Sequence, residues 1–296
     1  MPAAKRRTDE TMKIIIADNS GFCFGVRRAI DLALSFSKKV GEVYTIGPII
    51  HNPQVVRKLE AEGIRVARRA GDIRKNENVI IRAHGVPKKT LRILEGKGTR
   101  ILDATCPYVT RSKKYAEELS KEGYRVVIIG NPKHPEIKYI SSYVPDNKVL
   151  LKSYPDAEKV GFSKKLGVIT QTTQSPENFR KIVSKLLKYS NEFKIFNTIC
   201  PDAINRQKEA QRLAKKTGLM LIIGGRNSAN TVRLAAISKK IQAKTHHIEE
   251  PKDLKKEWFK NVRAVGIVTG ASTPQWLIES VVEKIKNFDL NKKSKY

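Results

Sequence analysis

Three solitary cysteines are the residues of this 296-residue chain that most clearly indicate chemistry. Cys23, Cys106 and Cys200 divide the chain into three similar stretches of roughly 90 residues. Each cysteine follows a strand-like run and precedes a helical pattern. Because the amino terminus of a helix favours the thiolate, and because three thiols at equivalent positions of a repeat can converge, the pattern predicts one shared metal site.

Two sets of polar residues recur with the cysteines. The first set stands 28 positions beyond each cysteine and comprises His51, His134 and Ser228. The second set lies in the turn after a later apolar run of each stretch and comprises His84, Thr172 and Ser272. The same order of landmarks in all three stretches indicates three related structural units.

The segments between these landmarks alternate between helical and apolar strand-like patterns. Apolar runs end in glycine at 43–47, 126–130 and 219–224, and a second apolar run follows in each stretch at 78–82, 166–170 and 265–269. Strands that alternate with helices indicate parallel βαβ units, in which ligand-binding groups collect beyond the carboxyl ends of the strands. The polar residues named above all fall at such ends, so the sequence predicts an α/β fold.

Composition limits the classes of protein to consider. The net charge is +29, and the lysines form many short clusters, which is more typical of a solvated basic surface than of an organised docking patch. No apolar run approaches the length of a membrane span, and the first residues lack the apolar core of a secretory signal. Three cysteines are too few for a disulfide framework in a chain of this length, so we expect a reducing cytoplasm.

The cysteines leave more than one function open at this point. Three thiolates suit an iron-sulfur cluster with one iron open to substrate. Zinc would require a fourth ligand, which a histidine could supply. Two rivals come from other classes: a redox-neutral hydratase or dehydratase that uses the same open cluster, and a basic nucleic-acid-binding protein. The nucleic-acid hypothesis leaves the threefold repeat unexplained.

Eight short motifs identify a family. They are Gly21-Phe-Cys-Phe-Gly-Val26, His51-Asn-Pro53, Ala83-His-Gly-Val86, Asp103-Ala-Thr-Cys-Pro107, His134-Pro-Glu136, Thr170-Gln-Thr-Thr173, Asn227-Ser-Ala-Asn230 and Gly270-Ala-Ser272. With these motifs in order, the chain closely resembles the LytB family of 4-hydroxy-3-methylbut-2-enyl diphosphate reductases over about residues 12–286.

The resemblance implies the last step of the non-mevalonate (MEP) isoprenoid pathway. In that reaction, two electrons remove the allylic hydroxyl group of 4-hydroxy-3-methylbut-2-enyl diphosphate, giving isopentenyl diphosphate and dimethylallyl diphosphate. The resemblance also implies three pseudo-symmetric α/β lobes, a trefoil, around one central 4Fe-4S cluster. Cys23, Cys106 and Cys200 match the cluster ligands, and the fourth iron stays open for substrate.

The same resemblance implies roles for the polar residues. A diphosphate requires several hydrogen-bond donors and little negative charge around it. The positions that match diphosphate-binding residues are His51, His84, His134, Ser228, Asn230 and Ser272. Glu136 is expected to supply the proton for the departing hydroxyl group, with Thr172 relaying it. Ala229 stands where some members carry serine, so one hydroxyl contact to the diphosphate is absent here.

Electrons must come from a partner because the sequence has no clear flavin or nicotinamide fingerprint. We expect reduced ferredoxin or flavodoxin as the donor, and a monomeric protein. The expected boundaries are a disordered extension over 1–11, lobe 1 over 24–106, lobe 2 over 107–200, lobe 3 from 12–23 and 201–286, and a C-terminal tail over 287–296.

Overall fold

The computed structural model describes residues 11–293, with side chains to residue 288. Strands and helices alternate along nearly the whole of this range. In chain order they are β1 (Lys13–Ile16), α1 (Phe24–Val40), β2 (Val43–Ile46), α2 (Pro53–Ala61), β3 (Ile64–Ala67), β4 (Asn78–Ile81), α3 (Lys88–Gly96), β5 (Arg100–Asp103), α4 (Pro107–Lys121), β6 (Arg125–Ile129), α5 (Pro135–Ser141), β7 (Lys148–Leu151), β8 (Lys165–Thr170), α6 (Pro176–Leu186), β9 (Glu192–Ile195), α7 (Pro201–Lys216), β10 (Leu219–Ile223), α8 (Ala229–Ile241), β11 (Thr245–Ile248), β12 (Ala264–Thr269) and α9 (Gln275–Lys293).

The described strands form three parallel sheets of four strands each. Their orders are β3-β2-β4-β5, β7-β6-β8-β9 and β11-β10-β12-β1. Each order is the same when the strands are matched by their place in the repeat. The prediction of an α/β fold with three pseudo-symmetric lobes is therefore confirmed by three sheets of one topology.

The chain divides into two compact units. One unit contains Phe22–Ile204 and holds the first two sheets, and the other contains the residues up to Gly21 and from Asn205 onward and holds the third. In the first unit, β6 is buried at every position from Val126 to Ile129. Such continuous apolar strands are typical of parallel sheets, which helices cover on both faces. Helix α1 contributes to that cover with the fully buried Ala29 and Ala33.

The third sheet differs from the others in how the chain builds it. Its outer strand β1 precedes all the other elements, and Lys13 pairs with Ala264 of β12. Strand β1 thus occupies the place that β5 and β9 occupy in the first two sheets. Each cysteine follows the strand in this place: Cys23 follows β1, Cys106 follows β5, and Cys200 follows β9.

The predicted lobe boundaries group the strands of each sheet together, and they stay a prediction. Of the predicted extension over 1–11, residues 1–10 lie outside the described residues. Of the tail predicted over 287–296, residues 287–293 belong to α9, which continues to Lys293, and residues 294–296 lie outside the described residues. The ring centroids of Phe288 and Phe259 lie 5.7 Å apart, so the helix packs against the core as far as Phe288. No helix within 11–293 is both long and apolar enough to cross a bilayer.

Candidate functional site

Each of the three cysteines lies directly before a helix. Helix α1 begins after Cys23, α4 after Cys106 and α7 after Cys200, as the sequence predicted. The backbone N–H of Val26 donates to Cys23 Sγ at 3.4 Å. Backbone N–H groups in the first turn of α4 act to lower the pKa of Cys106, and those in the first turn of α7 act to lower the pKa of Cys200. The helix termini therefore direct backbone dipoles at all three sulfurs.

Burial opposes this effect of the helix termini. It raises the pKa of Cys106 to about 11 and also raises the pKa of Cys200, although the N–H groups act in the other direction. The helix termini favour the thiolate as expected, but desolvation disfavours the charged form of these two residues more strongly. A metal ion would supply the missing stabilisation, since a coordinating thiol is deprotonated by the charge of the metal.

Within the described residues, the three sulfurs do not all lie within 4.8 Å of one another, although their charges affect one another's pKa. Cys23 and Cys200 each raise the pKa of Cys106, and Cys23 raises that of Cys200. A Cβ atom added to Gly25 would lie 2.5 Å from Cys106 Sγ, so the first turn of α1 packs directly on that sulfur. None of the three cysteines forms a disulfide. Thiolate ligands of this kind suit an iron-sulfur cluster, so the donor set fits the group that the resemblance implies.

Three histidines form a compact cluster in the same unit. The ring centroids of His51 and His84 are 4.4 Å apart, and His134 lies 5.7 Å from His51 and 5.5 Å from His84. One nitrogen from each ring lies within 4.8 Å of the other two, close enough for a shared metal ion. His84 Nδ1 is buried and has no hydrogen-bond partner within the described residues. The cluster thus offers donors or acceptors to a ligand.

The charge around this cluster favours an anion over a metal cation. The guanidinium group of Arg82 lowers the pKa of all three imidazoles, after the larger effect of burial. Burial lowers the pKa of His51 to about 4, that of His134 to about 3 and that of His84 well below its usual range. The rings are therefore neutral at pH 7, and Arg82 supplies the positive charge.

Arg82 was not singled out as a site residue from the sequence. Its side chain is partly buried, and burial lowers its pKa to about 10, so it stays charged at pH 7. The signal that could have found it is a basic residue placed immediately after the buried strand β4, beside the motif that contains His84. Ligands of parallel sheets bind beyond the carboxyl ends of the strands, and a cation placed there is compatible with an anionic ligand.

Glu136 and Thr172 form a buried pair. The backbone N–H of Thr172 donates to Glu136 Oε1 at 2.7 Å, and its hydroxyl group donates to Oε2 at 2.8 Å. The Glu136 side chain is almost fully buried, and desolvation raises its pKa to about 7 despite these two bonds. This carboxyl group can therefore hold or release a proton near neutral pH, as a general acid requires.

Hydrogen bonds connect the acid pair, the histidines and the cysteines. The N–H of Glu136 donates to His134 Nδ1 at 3.2 Å, so the neutral His134 carries its proton on Nε2. The N–H of Cys200 donates to the carbonyl oxygen of Thr172 at 2.8 Å. The N–H of Cys106 donates to the carbonyl oxygen of Ala83, the neighbour of His84, at 3.0 Å. The backbone thus fixes the polar residues relative to two of the cysteines.

The remaining predicted residues lie in the unit that holds the third sheet. Ser228 precedes α8 and accepts a hydrogen bond from the N–H of Thr231 at 3.3 Å. Asn230 is buried, and its Nδ2 has no partner within the described residues. Ser272 follows β12 and is also buried.

Backbone and threonine contacts bring the loops that carry these residues together. The N–H of Gly270 donates to the carbonyl oxygen of Ile223 at 2.8 Å, and the Thr273 hydroxyl group donates to the same oxygen at 2.9 Å. A Cβ atom on Gly224 would lie 2.9 Å from Thr231 Oγ1. The ends of β10 and β12 therefore form one polar edge of the sheet.

Comparison with known proteins identifies the family. The family model described as "LytB protein" matches residues 14–286. This chain belongs to the LytB family.

Relatives in the LytB family share a name that describes an enzyme. A 4-hydroxy-3-methylbut-2-enyl diphosphate reductase of Syntrophotalea carbinolica is 45% identical over 93% of this chain and 99% of its own length. A protein of the same name from Geobacter sulfurreducens is 43% identical over 95% of this chain and its own full length. The LytB resemblance in the motifs is confirmed.

Two solved structures show the same LytB fold. One is (E)-4-hydroxy-3-methyl-but-2-enyl diphosphate reductase, described as the terminal enzyme of the non-mevalonate pathway; it is 40% identical with a TM-score of 0.69, over 93% of this chain and 99% of its own. The other is E-1-hydroxy-2-methyl-but-2-enyl-4-diphosphate reductase from Plasmodium falciparum, 28% identical with a TM-score of 0.87, over 93% and 87%.

Proposed function

We propose that this protein is a 4-hydroxy-3-methylbut-2-enyl diphosphate reductase. The buried Glu136–Thr172 pair beside the histidine cluster is the observation that carries the proposal, because it joins a proton source to an anion site. In the reaction, the allylic C–O bond breaks and a C–H bond forms. Two electrons and two protons enter, the hydroxyl group leaves as water, and the products are isopentenyl and dimethylallyl diphosphate.

We propose that Cys23, Cys106 and Cys200 hold one 4Fe-4S cluster. Its role when bound is to pass two electrons to the substrate and to offer one iron without a protein ligand. The support is that none of the three cysteines forms a disulfide and that each lies directly before a helix. The packing of Gly25 against Cys106 would hold that ligand in place.

The diphosphate would be bound by the histidine cluster. His51, His84 and His134 are neutral donors and Arg82 adds a positive charge. A dianion that enters would raise the pKa of the imidazoles and so strengthen its own binding.

We also propose that Ser228, Asn230 and Ser272 bind diphosphate, because they match diphosphate-binding positions of the family. Asn230 offers a buried amide nitrogen, Nδ2, that has no partner within the described residues. Ser228 follows β10, Ser272 follows β12, and both are buried. A buried donor without a partner is costly, and a bound diphosphate that accepts from it would remove that cost. Replacement of Asn230 by a residue without the amide should therefore weaken diphosphate binding.

Glu136 would deliver the proton to the departing hydroxyl group. Its pKa of about 7 means that a large share of molecules carry the proton at neutral pH. Thr172 would relay it, because its hydroxyl group already contacts Glu136 Oε2 at 2.8 Å. The N–H of Thr172 holds the other carboxyl oxygen, so the acid keeps one orientation.

The electron donor would be an acidic ferredoxin or flavodoxin. The net charge of +29 supports this because opposite charges speed the encounter of two proteins. We further propose that the protein works as a monomer. We also propose that it works in the cytoplasm, where reducing conditions keep the three thiols out of disulfides and available for metal.

An anaerobic dye assay tests the proposed activity. Cluster-reconstituted protein is mixed with a reduced viologen dye, 4-hydroxy-3-methylbut-2-enyl diphosphate is added, and bleaching of the dye is followed. Substrate-dependent bleaching is expected. A chain with intact iron and sulfide content but no bleaching would overturn the proposal. Conversion of another substrate without consumption of reductant would favour the redox-neutral hydratase or dehydratase.

A further inference from the structure

A cavity lies in the unit that holds the third sheet, and none of its lining residues is assigned to the reductase site. Its volume is about 510 Å³, within the range of small-molecule sites. It is bounded by α8, by β11 and by the segment that follows β11. The residues that matter for the inference are Arg226, Ala236, Lys239, His246, Lys255 and Trp258.

The wall of this cavity combines positive charge with aromatic surface. Lys239 and Lys255 both line the cavity. Burial lowers the pKa of His246, and the charges of the two lysines lower it further. The rings of His246 and Trp258 are stacked, with centroids 3.7 Å apart and an angle of 3°. Asp253 is the acidic residue of the wall, and backbone N–H groups of Glu249 and Glu250 donate to its carboxylate. An anion with a flat body fits these features.

The repeat provides an internal comparison for this cavity. In β11, His246 pairs with Leu221 of β10. The equivalent strands of the other two sheets carry Arg65 and Val149 at that position, neither of which is aromatic. A sheet of this topology therefore does not need an aromatic residue there. The histidine and the tryptophan stacked on it are a local addition to the third sheet.

The cavity also adjoins the loop that leads to Ser228. His247 Nε2 lies 2.8 Å from the carbonyl oxygen of Gly224, with which it shares a hydrogen bond. The N–H of Arg226 donates to Glu249 Oε1 at 2.7 Å, and the Arg226 side chain reaches the cavity. A ligand that contacts Arg226 would thus lie two residues from Ser228.

We propose that this cavity is a second ligand site, for a phosphorylated small molecule with an unsaturated or aromatic body. The phosphate group binds Lys239, Lys255 and Arg226, and the body packs on Trp258 and the small side chain of Ala236. Two sources share this chemistry, nucleotides and longer prenyl diphosphates. The site lies within one unit, so its existence does not depend on the reductase activity.

Tryptophan emission can locate the ligand. The chain has two tryptophans, so the W276F variant leaves Trp258 as the single reporter. Cluster-loaded W276F protein is titrated separately with ADP, with geranyl diphosphate and with inorganic pyrophosphate, without reductant. A saturable change in Trp258 emission is expected with at least one organic probe. Which probe binds more tightly identifies the source of the ligand.

Charge-reversal variants test whether binding takes place in the cavity. K239E combined with K255E should raise the dissociation constant by about tenfold or more. The matched control is K240E combined with K256E, which changes the net charge equally at exposed neighbours that do not line the cavity. The control should bind as the parent does.

Three results would overturn the inference. They are an unchanged Trp258 emission with all probes, equal losses of binding in the two double variants, and binding of inorganic pyrophosphate as tight as that of the organic probes. Dye-driven turnover of the same preparations is measured in parallel, so failure of the second site and failure of the reductase proposal remain distinguishable.

Discussion

Replacement of Glu136 by glutamine separates the acid's chemistry from its structural role. Glutamine keeps the size of the side chain and an oxygen that can accept from the N–H of Thr172. It cannot donate an acidic proton. If Glu136 is the general acid, turnover should fall by about 10²- to 10⁴-fold while cluster content stays unchanged.

The pKa of Glu136 allows the size of a second effect to be worked out. The pKa rises from 4.5 to about 7 in the folded chain, mainly through burial. That difference corresponds to about 3 kcal/mol, at about 1.36 kcal/mol per pKa unit. Because the folded pKa is raised, the stability contributed by protonated Glu136 is full below about pH 4.5 and is lost as pH rises through about 7.

Urea titrations of wild type and E136Q at about pH 5 and about pH 8 measure this effect, because the variant lacks the titrating group. Between about pH 5 and about pH 8, the free energy of unfolding of the wild type should fall by up to about 3 kcal/mol more than that of the variant. The rate should also fall above about pH 7 in wild type, with no such limb in the variant. Near wild-type turnover in E136Q, or the same alkaline limb in both proteins, would refute the role of Glu136.

Three further predictions follow from other contacts. G25A should lower the iron content after reconstitution because the new methyl group would lie 2.5 Å from Cys106 Sγ. The control G96A should leave the iron content unchanged, because a Cβ atom at Gly96 meets no atom within 4 Å. Equal iron content in both variants would contradict this packing. R82M should raise the KM for the substrate by about tenfold, and imidazole titrations by NMR should show the pKa of His51 and His134 moving up once the cation is removed; an unchanged KM would exclude a binding role. Turnover with reduced ferredoxin should fall between about 50 mM and about 500 mM salt while dye-driven turnover does not, and a rate with ferredoxin that is insensitive to salt would count against electrostatic docking.

The fold was predictable from the sequence because its signals are local and occur three times. Apolar runs such as 126–130 and 265–269 are strands in the structure, and each cysteine stands before a helix. The regular spacing of His51, His134 and Ser228 also places them at corresponding helix starts, although in the first lobe the cap is the next residue, Asn52. Repetition thus made weak individual signals reliable.

Charge states were not predictable in the same way. The high pKa of Cys106 and the low pKa of His134 result from burial by distant parts of the chain, which no local pattern records. Arg82 was not singled out because a single basic residue after a strand has many explanations. The sequence has no breaker near Phe288 that would mark where α9 ends.

The position of β1 has a consequence for synthesis of the chain on the ribosome. Strand β1 emerges first, yet its partner β12 is among the last elements to be made. The first two sheets can each form from segments that are close in sequence, whereas the third must wait for nearly the whole chain. Until then the exposed edge of β1 requires protection from aggregation, so slow translation or truncation should increase the demand for chaperones.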